Sequence, residues 1–164
     1  MIHERPATDP GREFEKEKTM IRLLYFSQAV ATLTSDDLKN VLASARRNNK
    51  GKDVTGVLVT GGRVFLQLLE GPPVAVLGLY LKILQDKRHA DVEILRVTPI
   101  THRLFEDWSM ALVEATPLEF QQIIQFKTDY LALGEPQEFK DAMRGLLNVL
   151  KGQKKDAGDP IPAL

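Results

Sequence analysis

Cysteine is absent from the 164 residues. Its absence excludes disulfide frameworks, thiol nucleophiles, iron–sulfur clusters and Cys-ligated zinc, and it suits a reducing compartment. An excess of one charge is also missing, since Lys and Arg number 22 and Asp and Glu number 22. Nucleic acids and anionic membranes are bound largely through clustered cations, so this balance argues against both as partners. No apolar run approaches the roughly 18 residues that cross a bilayer, and the N-terminus has no signal-peptide core. A cytoplasmic location is the expectation. His3, His89 and His102 have no metal-ligand spacing. The P-loop, G-x-G-x-x-G and G-x-S-x-G patterns are missing too. Glu70 and Asp107 lie near strand ends without an evident acid or base partner, and both read as solvated.

What remains is the length of one domain with short appendages. Residues 1–19 are polar, carry Pro6 and Pro10 and have no period, so they read as a disordered leader. Ile21 to Ser27 is a buried strand on which Leu23 and Tyr25 share a face. Thr34, with Asp37 three residues on, opens a helix whose stripe is Leu38, Val41, Leu42 and Ala45. That stripe runs on into two amides, Asn48 and Asn49. Val54–Val59 and Val64–Leu69 are strands joined by a Gly61-Gly62 hairpin turn, and Gln67 shares its face with Phe65 and Leu69. Pro72-Pro73 opens a second helix, with a stripe of Leu77, Tyr80, Leu81 and Leu84 that leads to Arg88. Strands follow near Val92–Val97 and Trp108–Val113, the last with Trp108, Met110 and Leu112 on one face.

The order β-α-β-β-α-β-β predicts an α+β, ferredoxin-like fold with a five-stranded mixed sheet and both helices on one face. Thr116-Pro117-Leu118-Glu119 is a capping box with Pro at the first helical position. Two amphipathic helices follow, one with Phe120, Ile123 and Ile124 and one with Phe139, Met143, Leu146 and Leu150. They are expected to cover the open sheet face or a partner chain. The divisions are therefore a leader (1–19), a folded α+β domain (20–113), a helical cap (114–151) and a disordered tail (152–164).

The chemistry-bearing set is neutral: Tyr25, Asn48, Asn49 and Gln67. Buried amides need partners, and these residue types suit a flat heterocycle with an amide-like edge, sandwiched by apolar helix stripes. Lys82, Lys87, Arg88 and His89 would suit a phosphate tail. Each feature also has a plain structural reading: a core tyrosine, a satisfied core glutamine, a helix C-cap, core packing for Trp108 and Met110, and a helix-dipole complement.

Leu24-Tyr25-Phe26-Ser27, Asn48-Asn49, Val54-Thr55-Gly56 and Phe65-Leu66-Gln67-Leu68-Leu69-Glu70-Gly71 together resemble the BLUF family of blue-light sensors using flavin. Asp86-Lys87-Arg88-His89 and Phe105-Glu106-Asp107-Trp108-Ser109-Met110 extend the likeness over residues 20–113. The resemblance implies FAD or FMN bound noncovalently between the helices. It makes Tyr25 the photoactive tyrosine and places Gln67 between that tyrosine and the flavin. Asn49 would hold the flavin carbonyl edge, with Asn48 at a neighbouring ring contact. Lys82, Asp86 and Arg88 would lie near the ribityl phosphate, and Trp108 and Met110 would relay the signal. It also implies light-driven transfer of an electron and a proton from Tyr25 through Gln67, followed by rearranged flavin hydrogen bonds and a red shift. The chain has no output enzyme domain in view, so a downstream protein partner or a homo-oligomer through the C-terminal helices is expected. The alternatives are an acylphosphatase-type enzyme on the same fold, a photosensor cut from a cyclase or phosphodiesterase, and a flavin-free interaction domain.

Overall fold

The computed structural model describes residues 19–61, 63–116, 118 and 121. Their elements are β1 (Met20–Ala29), α1 (Ser35–Lys50), β2 (Thr55–Gly61), β3 (Val64–Gly71), α2 (Pro73–Leu84), β4 (His89–Ile100) and β5 (Ala111–Glu114). They build one five-stranded sheet in the order β4-β1-β3-β2-β5. β1 runs antiparallel to β3 and β4, β2 is antiparallel to β3, and β5 is parallel to β2. This is the ferredoxin-like α+β arrangement with one added strand.

Side chains alternate across the sheet, so each strand feeds two cores. Leu23, Tyr25, Leu58, Phe65 and Leu69 pack beneath the helices with Leu42, Val76, Leu79 and Tyr80. Leu24, Phe26, Val57, Leu66, Leu68 and Phe105 form the core of the opposite face. The expected disordered leader and tail and the expected C-terminal helices lie outside the described residues, apart from Thr19, residues 114–116, 118 and 121.

Local signals account for the helix starts. The Thr34 hydroxyl accepts the Asp37 N–H at 3.2 Å, and the Asp37 carboxylate accepts the Thr34 N–H at 2.8 Å, which closes the expected capping box. In α2 the buried stripe differs from the expectation. Val76, Leu79 and Tyr80 are buried, whereas Leu77, Leu81 and Leu84 are 44%, 59% and 47% exposed. The helix is apolar on nearly all sides, so the helical spacing fits two faces equally well. The chosen face sets the Tyr80 ring edge-on to Tyr25 at 5.5 Å. Arg88 lies in the turn beyond the helix, not on its stripe.

β4 is longer than its apolar segment because it follows β1 along that strand's whole length, from Met20 opposite Ile100 to Ala29 opposite His89. It is an edge strand, where Pro99 is tolerated. β5 begins only at Ala111, and Trp108–Met110 form the bend that leads into it.

Candidate functional site

The register of β1 and β3 sets Tyr25 directly opposite Gln67. Both side chains face the helices and are buried. The Tyr25 hydroxyl donates to Gln67 Oε1. The Gln67 amide nitrogen donates in turn to Met110 Sδ at 3.4 Å. Burial is the main force that raises the Tyr25 pKa well above the ordinary tyrosine range, and Tyr80 and Asp86 add to it. Tyr80 is itself raised by burial. The phenol therefore keeps its proton under all ordinary conditions and holds it against a neutral acceptor.

Asn49 is fully buried on the inward side of α1. Its amide nitrogen donates to the Ser109 carbonyl at 2.6 Å. Its Oδ1 is buried and has no hydrogen-bond donor among the described residues. An acceptor in that state costs roughly 1–3 kcal/mol unless a donor reaches it. A heterocycle with an imide N–H is such a donor, so the residues present fit a flavin. Asn48, which the same stripe predicts, is exposed and is not brought to this cluster. The α1 stripe narrows to a single inward position in its last turn, and Asn49 takes it.

The other expected positions gather at the end of α2. Asp86 and Arg88 pair at 2.9 and 3.1 Å through the guanidinium Nε. That partnership is the chief reason the Asp86 carboxyl is lowered to about 2. His89 is half-buried, with Nδ1 3.1 Å from the Ser27 hydroxyl and its ring 5.5 Å from Phe65. Burial pulls its pKa down, with Asp86 opposing and Arg88 reinforcing. Lys82 is exposed. Lys52, in the turn after α1, has its pKa lowered by desolvation first and then by the facing Lys82. The sequence offered no sign of this pairing across two elements.

Trp108 and Met110 do not share a face. Met110 belongs to the core beneath the helices, and Trp108 packs against the core of the opposite face. The bend before β5 breaks the strand alternation that would have aligned them. Glu70 corrects a second expectation. It is fully buried rather than solvated, and it is ion-paired with Arg22 at 2.7 Å. It also accepts the backbone N–H groups of Leu104 and Phe105 at 3.0 and 2.9 Å. Asp107 is exposed. No group of three or more metal-ligating side chains occurs among the described residues. None of their helices is long and apolar enough to cross a membrane.

The fold and site are those of a small ferredoxin-like α+β domain with Tyr25, Gln67 and Asn49 buried on the helix side of its sheet. Residues 20–111 match the family model described as "BLUF: Sensors of blue-light using FAD", and the chain belongs to that family. It is similar to photoactivated adenylate cyclase subunit beta of Euglena gracilis, with 37% identity over 95 residues that make up 57% of this chain and 11% of the relative. It thus spans about a tenth of that relative's length. Among solved structures it is similar to BlrB, a BLUF protein in its dark state, at 27% identity and a TM-score of 0.65, covering 81% of this chain and 98% of that one. It is also similar to Klebsiella pneumoniae BlrP1 with FMN and cyclic diGMP, at 25% identity and a TM-score of 0.56, covering 70% of this chain and 35% of that one.

Proposed function

We propose that this chain is a blue-light receptor that holds FAD or FMN noncovalently beneath α1 and α2 and passes the light signal to a protein partner or a second copy. The observation that carries this reading is the buried Tyr25–Gln67 hydrogen bond, continued from Gln67 to Met110. The bound flavin supplies the blue-light absorption and the oxidising power of its excited state. With flavin bound, the Tyr25 electron would pass to the excited ring and its proton toward Gln67 Oε1, and both would return on recombination, leaving the glutamine in another hydrogen-bonding state by rotation or tautomerisation. A turn of the Gln67 carboxamide reverses its donor and acceptor ends. The reversed amide presents NH₂ to Tyr25 and carbonyl oxygen to Met110, which ends the N–H···S contact. Asn49 offers Oδ1 to an imide N–H, while its own NH₂ stays on Ser109. Lys52, Lys82 and Arg88 mark the phosphate-bearing end, which both flavin nucleotides share.

Output then leaves through residues 101–110 and β5. The sensor unit is residues 20–113, and the partner or second copy is reached through the chain that follows β5. A chain without cysteine suits a cytoplasmic site of action. The deciding experiment is a visible spectrum of the purified full chain before and after blue light. A yellow protein with a reversible red shift is expected, and a Gln67→Leu variant should bind flavin without that shift. A colourless protein that refuses added riboflavin, FMN and FAD overturns the reading.

A further inference from the structure

Residues 101–110 are held at two ends by different parts of the molecule. At the far end Asn49 Nδ2 donates to the Ser109 carbonyl, Gln67 Nε2 to Met110 Sδ and Arg46 Nε to the Met110 carbonyl at 3.0 Å. Two of these three donors are the amides assigned to the flavin site. At the near end both Glu70 oxygens lie 3.0 Å from the Leu104 nitrogen, and Oε2 accepts the Phe105 N–H at 2.9 Å. Arg103 adds Nη1 to the Thr55 hydroxyl at 3.1 Å and Nη2 to the Asp53 carboxylate at 2.8 Å. Between the two ends Phe105 is fully buried and its ring lies edge-on to Trp108 at 6.4 Å.

Glu70 is placed for this task by β3 itself, three residues beyond Gln67 and on the opposite sheet face. The carboxylate has no exposed surface, and Arg22, opposite it in the β1 register, holds one oxygen. A carboxylate that accepts two neighbouring backbone N–H groups while locked by a guanidinium is a rigid pivot. A neutral residue of the same shape could not hold both N–H groups as strongly.

We infer that Glu70 is a positioning residue for the light response: it fixes the Leu104–Phe105 end of the segment, so that rearrangement at Gln67 and Asn49 swings the Trp108–Met110 end about that point. This rests on the proposed photoreceptor function. With the near end fixed, a change at Met110 turns Trp108 against the far core. With the near end free, the same change disperses along the whole segment.

Amide hydrogen exchange on the flavin-loaded full chain, dark against blue light, reads the pivot directly. The Met110 and Ala111 amides should exchange faster in light, and those of Leu104 and Phe105 should not change. Equal acceleration at both ends overturns the proposal. Glu70→Gln should keep the flavin red shift and raise dark exchange at Leu104 and Phe105 by about tenfold. The light-driven fluorescence change of Trp108, the single tryptophan, should fall to roughly half or less. Glu70→Gln with faster exchange at Leu104 and Phe105 but an undiminished Trp108 response also overturns it. A wild-type chain with no red shift overturns the photoreceptor reading instead, so the two failures are separate. If Glu70→Gln does not fold, the wild-type exchange comparison decides alone.

Discussion

In the proposed mechanism Tyr25 is the electron donor and Gln67 the proton acceptor, and the hydrogen bond between them is what a substitution can remove. Tyr25→Phe keeps the ring and the packing but removes the hydroxyl that reaches Gln67. It should therefore bind flavin and lose the red shift in a light-minus-dark spectrum, and a retained shift would place the photochemistry elsewhere. His89 carries a separate acid-range effect. Its folded pKa lies below the ordinary value of 6.5 because burial disfavours the charged form. The unfolded chain therefore binds the proton more readily. Stability is complete above pH 6.5 and falls as pH drops from there through the folded pKa. Melting temperatures between pH 7.5 and 5 should decline for the wild type and stay flatter for His89→Gln. The burial of Tyr25, Asn49 and Gln67 was legible in the sequence because a phenol and amides lie there on apolar faces, whereas their roles came only with the family resemblance. Glu70 was not legible, because its Arg22 partner and the Leu104 and Phe105 N–H groups come together only through the β1–β3 register and the return of the chain after β4.

The elements were legible wherever polarity alternates and ambiguous wherever it does not. α1 has charged and apolar sides, so its cap and stripe followed from spacing, down to the turn where Asn48 and Asn49 part company. α2 has too little polarity to choose a face, and tertiary contact with Tyr25 settled it. Leu79→Ala should therefore cost about 2–5 kcal/mol in urea unfolding, and Leu81→Ala under about 0.5 kcal/mol. The reverse ranking would restore the face expected from the sequence. Close approach of backbones makes a sharper demand on β2. A Cβ on Gly56 would lie 2.0 Å from the Leu68 carbonyl oxygen, and the Gly56 N–H donates to the Trp108 carbonyl at 3.1 Å. Gly56→Ala must push β2 off β3 or off the Trp108 bend. It should lower the melting temperature by more than Leu81→Ala does, although it adds only one carbon.

At the scale of the molecule, the sheet separates a helix-covered near side from a far side, and residues 101–110 contribute to both. Phe105 and Trp108 pack on the far core and Met110 on the near one. The sequence pattern of the last strand could not reveal this split, because strict alternation puts Trp108 and Met110 together and only a bend separates them. A ligand that completes the near side stabilises the folded state in proportion to its affinity. At a hundredfold excess over Kd the gain is about 2.7 kcal/mol, which is a few degrees in melting temperature for a chain of this size. Added FMN or FAD should therefore raise the melting temperature of flavin-stripped protein. Asn49→Ala removes the buried Oδ1 that lacks a donor among the described residues, whereas Asn48→Ala trims an exposed side chain. Asn49→Ala should weaken flavin binding by about tenfold, the equivalent of one hydrogen bond at roughly 1–1.5 kcal/mol, and Asn48→Ala should leave it unchanged. Riboflavin, which lacks the phosphate, tests the other end of the site in the same titration. If Lys52, Lys82 and Arg88 hold the nucleotide, riboflavin should bind more weakly than FMN, and Lys52→Ala should narrow that difference without altering the riboflavin affinity. Equal affinities for riboflavin and FMN in the wild type would show that the lysine pair faces solvent rather than ligand.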